Sequence, residues 1–251
     1  MSLAYIPPRD LNSKLRRRLT QWRASSPARL AFGEPLLSIS FDDFPISAAE
    51  QGARILENNG ARGTFYAAAG MMESNGPCGR NFRESDIRRL ADAGHEIGCH
   101  SYAHKDAAQR NVFDTLQDLA LNRDALMALG ARSPRTHAYP YGETTPSLKD
   151  VLPPRLACAR GAMRGVNLGR ADLAQLRACS MFGKGWRERL SRALKFAASR
   201  KGWVIAITHD IADAPSPWGT RGGDLEALLA EARRLGFAVL PVSAALDRRL
   251  A

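Results

Sequence analysis

The chain has 251 residues, of which 45% are hydrophobic and 24% are charged, and its formal net charge is +11 at pH 7. This length and composition predict a folded globular protein and exclude a disordered or fibrous chain. No apolar run approaches the length of a membrane span, and the N-terminus lacks the apolar stretch of a secretory signal. We therefore expect a cytoplasmic protein, unless a signal has been removed.

The positive charge is concentrated near the N-terminus. Between Arg9 and Arg29, seven basic residues accompany a single acid, Asp10. The rest of the chain is only mildly basic and has no recognised nucleic-acid motif, so we expect no nucleic-acid partner. The charge favours attraction to something anionic, such as a membrane surface, a charged polysaccharide or a lipid-linked sugar phosphate.

Residues 1–33 are predicted to form a basic N-terminal arm, followed by one domain over 34–251. Within the arm, apolar residues recur at helical spacing and predict a short amphipathic helix: Leu11, Leu15, Leu19 and Trp22. One interpretation, which we favour, is a helix packed on the body with its basic side in water. The other is a peripheral contact of residues 10–23 with an anionic membrane surface.

From Leu36 onward, short apolar runs alternate with helical patterns. The predicted strands are 36–41, 62–67, 95–99, 135–139, 156–160, 177–182, 203–208 and 237–241. The predicted helices are 46–58, 85–93, 111–129, 185–200 and 222–235. Strands that alternate with helices indicate βαβ units and a parallel sheet. Seven or eight such units in about this length predict an α/β fold, a distorted (β/α) barrel that is least regular over 150–182.

Polar groups with known chemistry follow four of the predicted strands, where a parallel barrel collects its reactive residues. These strand ends carry Asp42-Asp43, the pair His100 and His104, the run Tyr139-Pro140-Tyr141-Gly142, and His209-Asp210. Two histidines four residues apart share one face of a helical turn, and a carboxylate completes the three-ligand set of a catalytic zinc. The spacing alone is often coincidental, but three of the five histidines fall at these strand ends.

These motifs resemble the polysaccharide deacetylase (NodB-homology) family of carbohydrate esterases. The segments similar to its first, second, third and fifth motifs are Ser40-Phe41-Asp42-Asp43, His100-Ser101-Tyr102-Ala103-His104, Tyr139-Pro140-Tyr141-Gly142 and Ala206-Ile207-Thr208-His209. They occur in the family's order, and the resemblance covers roughly residues 36–245. It implies a metal-dependent hydrolase of carbon–nitrogen bonds other than peptide bonds, which removes acetyl groups from N-acetylated sugars.

The resemblance also implies a role for each matching residue. The metal ligands would be Asp43, His100 and His104, the general base Asp42, the general acid His209, and the oxyanion contact the backbone N–H of Tyr141. From this ligand set we expect one divalent ion, zinc by default, with cobalt, nickel and manganese as alternatives.

Two positions depart from the family pattern. Ala138 stands where many members carry an arginine that orients the base. The fourth motif, Asp-x-x-Asp-Trp in many members, is not visible in residues 157–168. Arg160, at the end of the fifth predicted strand, either orients Asp42 in its place or is a structural or surface arginine.

Pro140, Tyr141 and Trp218 are the candidate substrate contacts. Trp218 belongs to the segment 213–219, which follows His209 and is therefore expected at the mouth of the barrel. An aromatic ring there either stacks on a sugar or caps the core, and we hold both interpretations open.

Our leading hypothesis is a metal-dependent deacetylase whose substrate is an acetylated saccharide or glycoconjugate. A second hypothesis keeps the fold and changes the substrate to a small-molecule or lipid-linked amide, formamide or imide. A third is a barrel that binds sugar without hydrolysing it, although such a module needs neither a base at Asp42 nor an acid at His209. Nothing in the sequence indicates the oligomeric state.

Overall fold

A parallel sheet of eight strands is the centre of the fold. The computed structural model describes residues 7, 8, 10–152 and 156–250. In these residues the strands are β1 (Pro27–Leu30), β2 (Leu36–Asp42), β3 (Thr64–Ala67), β4 (Asn75–Gly76), β5 (Gly79–Arg80), β6 (Glu96–Cys99), β7 (Thr136–Ala138), β8 (Cys158–Arg160), β9 (Gly169–Asp172), β10 (Cys179–Ser180), β11 (Trp203–Thr208) and β12 (Ala238–Val239).

Helices connect these strands. Those of the described residues are α1 (Leu11–Trp22), α2 (Ala53–Asn58), α3 (Glu84–Asp92), α4 (Val112–Ala128), α5 (Pro146–Asp150), α6 (Trp186–Arg200), α7 (Gly222–Arg234) and α8 (Val242–Asp247). A π-helical turn (Ala48–Gly52) leads into α2, and a 3₁₀ turn (Pro140–Gly142) follows β7. Among the described residues, none of these helices combines the length and the apolar character that crossing a bilayer requires.

The strand order of the central sheet is β10-β11-β2-β3-β6-β7-β8, and β12 pairs with the first residues of β2. The longest ladder joins β2 to β11 in parallel and ends with Thr208 opposite Phe41. The next residues along these two strands, Asp42 and His209, therefore lie side by side at this edge of the sheet. Beyond β8, a single parallel bridge takes the place of a continuous ladder, so the sheet curves into an incomplete barrel.

All eight predicted barrel strands are present, and the prediction of a distorted parallel α/β barrel is confirmed. Buried parallel strands have both faces covered, so they read as short continuous apolar runs. The sequence patterns missed α5, α8 and two antiparallel pairs, β1 with β9 and β4 with β5. These elements have at most six residues each, which is too few for a reliable periodicity.

The core holds the strand ends in place. Every residue of β2 is buried. At its carboxyl end Phe41 stacks on Phe65 with ring centroids 4.6 Å apart, and Phe44 stacks on Phe82 at 4.4 Å. The acids that follow Phe41 therefore emerge from a close-packed aromatic cluster, which limits their freedom.

Helix α1 packs on the body through its polar side. Ser13 and Thr20 are its buried residues, and the Arg17 guanidinium pairs with Glu143. The ammonium of Lys149 donates to the carbonyl oxygen of Thr20 over 2.7 Å. The helix therefore lies on the body, but its contact with the body is made of hydrogen bonds and an ion pair.

The apolar residues of α1 face water. The exposed fractions are 82% for Leu11, 58% for Leu15, 53% for Leu19 and 79% for Trp22. The interpretation we favoured is therefore only half right: the helix lies on the body with Lys14, Arg16 and Arg18 exposed, but the leucines do not form the packed side. The physical reason is that the body offers α1 buried polar partners. The division into an arm over 1–33 and a domain over 34–251 stays a prediction.

Candidate active site and metal centre

The backbone of the predicted site is strained. Four non-glycine residues here have a positive φ: Asp43 (57°), Ser101 (61°), His104 (49°) and Tyr141 (60°). Such conformations cost of the order of 1–3 kcal/mol each and cluster at functional sites, where the surrounding structure holds them. Asp43 lies one residue beyond β2, and its left-handed backbone turns the chain away from the strand.

Asp43, His100 and His104 converge on one point. One ligand atom from each lies within 4.8 Å of the others. Asp43 Oδ1 is 3.5 Å from Nε2 of His100 and 3.1 Å from Nε2 of His104. This oxygen is buried and accepts no hydrogen bond from the described residues. A buried carboxylate oxygen without a donor, facing two imidazole nitrogens, fits a divalent cation.

His100 is held in the tautomer that a metal requires. Its Nδ1 lies 2.8 Å from the carbonyl oxygen of Ala138, so Nδ1–H donates to that oxygen. The lone pair of Nε2 is then left on the side of Asp43. Burial lowers the pKa of His100 to about 4. The imidazole is thus neutral at physiological pH, which is its ligating form.

The two histidines are carried by a loop and not by the helical turn that their spacing suggested. The backbone N–H groups of Tyr102 and Ala103 donate to the carboxylate of Asp118 on α4 over 2.7 and 3.2 Å. Together with the positive φ angles in this loop, these hydrogen bonds bring both imidazoles to the same carboxylate. The spacing of the two histidines could not distinguish this loop from a helical turn, because spacing alone does not report such long-range contacts.

Asp42 forms a buried ion pair with Arg160. A guanidinium nitrogen of Arg160 donates to Asp42 Oδ1, and the Arg160 side chain is 1% exposed. Burial opposes ionisation of Asp42, but the positive charge of the Arg160 guanidinium outweighs it and lowers the pKa of the carboxyl group. Asp42 is therefore a carboxylate at neutral pH, as a general base must be.

The ring of Tyr66 packs against the guanidinium of Arg160. The guanidinium carbon lies 4.6 Å from the centroid of that ring. Gly98 makes room for the ring, since a Cβ at that position would lie 2.4 Å from it. Arg160 thus reaches Asp42 from the end of β8. In many members of the family that the motifs resemble, the corresponding arginine stands at the position of Ala138 on β7.

His209 is oriented by a backbone carbonyl. Its Nδ1 lies 3.2 Å from the carbonyl oxygen of Trp218 and donates to it, which leaves Nε2 to exchange a proton. The partner of His209 Nδ1 is this carbonyl and not the neighbouring carboxylate of Asp210. The Asp210 carboxylate instead accepts the N–H of Ser216 over 2.8 Å and the Ser216 hydroxyl over 2.5 Å. Asp210 thereby fixes the loop that brings the Trp218 carbonyl to His209.

The predicted substrate contacts differ in exposure. Tyr141 is 37% exposed, and its ring meets that of His104 edge-on with centroids 4.8 Å apart. Trp218 is 40% exposed, whereas Pro140 is buried in the turn. Two aromatic rings, those of Tyr141 and Trp218, are therefore open to a ligand, and Pro140 contributes to the shape of the turn.

The structure brings the predicted ligands, base and acid to neighbouring strand ends. Sequence reasoning missed four groups that hold them: Asp118, the ring of Tyr66 and the backbone carbonyls of Ala138 and Trp218. Asp118 lies among other polar residues of an ordinary helix, and a backbone carbonyl leaves no trace in the sequence. Tyr66 stands in a strand that reads as core, so none of the four carried a usable signal.

The sequence of this chain is similar to those of known deacetylases. A model described as polysaccharide deacetylase matches residues 30–153, which include Asp42, Asp43 and both histidines of the metal group. Arg160 and His209 lie beyond this match. The chain is 29% identical over 106 residues to a chitin deacetylase from Colletotrichum lindemuthianum, and the match covers 42% of each protein. The chain thus spans less than half the length of this curated relative.

Solved structures share the fold. A peptidoglycan deacetylase from Bacillus subtilis is 15% identical and has a TM-score of 0.60, and the match covers 86% of this chain and 92% of that chain. A family 4 carbohydrate esterase from Streptomyces lividans is 20% identical with a TM-score of 0.56, over 83% and 93% of the two chains. The resemblance seen in the motifs is confirmed: residues 30–153 match the polysaccharide deacetylase model, and the solved structures share the fold.

Proposed function

We propose that this protein is a metal-dependent hydrolase that removes N-acetyl groups from a saccharide or glycoconjugate. One observation carries the proposal: a buried carboxylate oxygen of Asp43 without a hydrogen-bond donor in the described residues faces Nε2 of both His100 and His104. Asp42 directly precedes Asp43, and His209 follows β11 at the same edge of the sheet. The chitin deacetylase among the relatives supports an acetylated saccharide as the substrate.

Asp43, His100 and His104 would hold one divalent ion. Zinc suits a set of two imidazoles and one carboxylate, and cobalt, nickel and manganese are alternatives. A divalent ion there lowers the pKa of a water molecule and polarises an acyl oxygen. The hydrogen bond from His100 Nδ1 to the carbonyl of Ala138 keeps one of the two imidazoles in the ligating tautomer.

Asp42 is the proposed general base. It takes a proton from water as the water oxygen attacks the acetyl carbon. Arg160 keeps the carboxylate ionised and holds its orientation, because the guanidinium is buried against it. The backbone N–H of Tyr141 is the proposed contact of the oxygen that becomes negative in the transition state.

His209 is the proposed general acid. When the carbon–nitrogen bond breaks, the amine must take up a proton, which Nε2 supplies. The Trp218 carbonyl holds the opposite ring nitrogen and so points Nε2 away from that loop. The products are acetate and the free amino sugar, which balances the water consumed. The exposed rings of Tyr141 and Trp218 are the proposed sugar contacts.

Metal content and product analysis test this function together. We expect the purified protein to hold about one ion per chain by elemental mass spectrometry. The His100→Ala variant should lose the ion. The control variant His95→Gln should keep it, because the buried His95 contacts Glu57 and the N–H of Gly63 instead of the metal group. Asp42→Asn should keep the metal and lose acetate release from N-acetylated oligosaccharides.

Three outcomes would contradict the proposal. A parent protein that holds no metal after incubation with zinc or cobalt would exclude the metal-dependent mechanism. Release of formate or ammonia from a small amide, with no acetate from acetylated sugars, would move the activity to the second substrate class. Metal and sugar binding without any product would identify a non-catalytic barrel.

A further inference from the structure

The outer side of α1 carries an apolar stripe, which we define as Leu11, Leu15, Leu19 and Trp22. All four side chains are more than half exposed. At about 100° per residue they fall within roughly 80° of arc around the helix axis. A surface helix normally turns such a stripe towards its own core. Here the body covers the opposite side of the helix, so the stripe is open.

Buried polar contacts fix this orientation. The Lys149 side chain is 0% exposed, and its ammonium donates to the carbonyl oxygens of Thr20 and Arg23 over 2.7 and 2.6 Å. On the same side of the helix, Arg17 pairs with Glu143. Turning the stripe inward would break these contacts and leave a buried ammonium without those acceptors. The apolar stripe is therefore held in water by the fold.

Basic side chains border the stripe on both sides. By the same helical geometry, Lys14 and Arg18 lie along one edge, and Arg16 and Arg23 lie along the other. All four are exposed. Lys14, Arg16 and Arg18 form no ion pair within the part of the chain that the structure describes, whereas Arg23 pairs with Asp150 over 2.6 Å. Asp10 is the only acid between residues 10 and 23.

We propose that this outer face of α1 docks on an anionic lipid surface. A helix that lies in the plane of a membrane buries its apolar side among the acyl chains and places flanking lysines and arginines at the lipid phosphates. The stripe and its two basic edges have this arrangement. A second copy of the chain is a poorer occupant, because pairing two such faces would bring the basic edges of both helices together.

The docking surface adjoins the candidate active site. Arg17 of α1 pairs with Glu143, which lies two residues after Tyr141 in the turn that follows β7. A cleft of about 200 Å³ between the helix and this turn is lined by Arg17, Gln21, Tyr141 and Gln175, among others. Docking through α1 would therefore bring one rim of the site close to the lipid surface. The docking itself does not depend on the proposed reaction.

Vesicle flotation of the full chain tests the docking surface. We expect the parent to float with phosphatidylcholine vesicles that contain phosphatidylglycerol, and not with phosphatidylcholine alone. Replacing two leucines, Leu15→Ser with Leu19→Ser, should reduce the bound fraction about tenfold or more. The pair Lys14→Gln with Arg18→Gln should weaken binding, and added salt should weaken it further. Phe196→Ser, which changes an exposed apolar residue of α6, is the matched control and should bind like the parent.

Several results would overturn the proposal, and none depends on enzymatic activity. The parent could fail to float with anionic vesicles, or the double leucine variant could float as well as the parent. A parent that is dimeric by light scattering, becomes monomeric in the leucine variant and ignores vesicles would assign the stripe to self-association. If the leucine variant unfolds, the Lys14 and Arg18 variant decides, since both of these side chains are exposed and their replacement should not disturb the fold.

Discussion

Two buried cations in this molecule have different surroundings. Lys149 donates to three acceptors, the carbonyl oxygens of Thr20 and Arg23 and the Gln175 side chain at 3.1 Å, and its ammonium lies 2.7 Å from the Asp172 carboxylate. Arg160 contacts the carboxylate of Asp42 and the ring of Tyr66, and its Nε is buried without an acceptor in the described residues. The fold thus saturates one cation and leaves the other incompletely satisfied.

This difference distinguishes a cation that stabilises the fold from one that acts on a catalytic group. A cation whose donors all meet protein acceptors stabilises the contact between two parts of the chain, here α1 and the body. A cation directed at one carboxylate sets the charge and orientation of that carboxylate. Arg160 keeps one unsatisfied donor and directs its guanidinium at the Asp42 carboxylate, so we propose it as a positioning residue for Asp42. Burial alone would not have distinguished the two residues.

The largest expected effect follows from removing Arg160. Arg160→Met leaves Asp42 buried without its cation, which should raise the pKa of the carboxyl group and lower the fraction that acts as a base. We expect kcat for acetate release to fall about 10–100-fold, as for other groups that orient a catalytic site, with a smaller change in KM. Steady-state kinetics measures both.

Arg160→Lys is the matched control for that loss. It keeps a positive charge but not the planar donor group, so it should recover part of the rate. The stability cost of the methionine variant is expected to be about 3–5 kcal/mol, since one member of a buried pair is removed. If a folded Arg160→Met protein had the kcat of the parent, Arg160 would have only a structural role. It would then not differ in function from Lys149.

Removing Lys149 should change stability and leave the reaction intact. Lys149→Met loses the donors to the carbonyls of Thr20 and Arg23, while Asp172 still accepts the N–H groups of Ser26 and Ala174. We expect the free energy of unfolding to fall by about 1–3 kcal/mol, measured by urea denaturation. Lys149→Arg should retain much of the stability. A loss of kcat as large as that of Arg160→Met would show that α1 contributes to catalysis.

Much of the fold and of the metal group was predictable from the sequence for a physical reason. Strands buried on both faces read as apolar runs, and parallel topology brings their carboxyl ends together. The Asp42-Asp43 pair, His100 and His104 were therefore expected at one edge of the sheet, the family resemblance implied Asp43 as the ligand, and Asp43, His100 and His104 do meet. The match to the family in sequence and fold agrees with that expectation.

The errors share a different cause. The side of α1 that packs is decided by Lys149, which reaches Thr20 across 129 positions in sequence. The loop of His100 and His104 is set by Asp118 on a separate helix. The local hydrophobic pattern holds no information about either partner, so it suggested a packed leucine face and a helical turn. Single polar contacts between distant elements overrode both local preferences.

A smaller effect is expected on the acid side of the site. A Cβ on Gly219 would lie 2.3–2.5 Å from the atoms of the Asp210 carboxylate, so Gly219→Ala must displace the loop next to Trp218. The Trp218 carbonyl would then hold His209 less well, and we expect kcat to fall about tenfold, because a proton donor must keep its geometry. Gly223→Ala is the control, since a Cβ there meets nothing within 4 Å. Equal rates for both variants would show that the loop does not position His209.

The smallest expected effect concerns the ring beneath Arg160. Tyr66→Leu removes the aromatic face that the guanidinium covers, a contact worth about 0.5–2 kcal/mol when buried. Arg160 should then hold Asp42 less firmly, and kcat should fall a few-fold, less than in Arg160→Met. Tyr66→Phe keeps the ring and should react like the parent. If Tyr66→Phe and Tyr66→Leu reduced kcat equally, the Tyr66 hydroxyl would be the important group. The aromatic ring would then have no part in positioning Arg160.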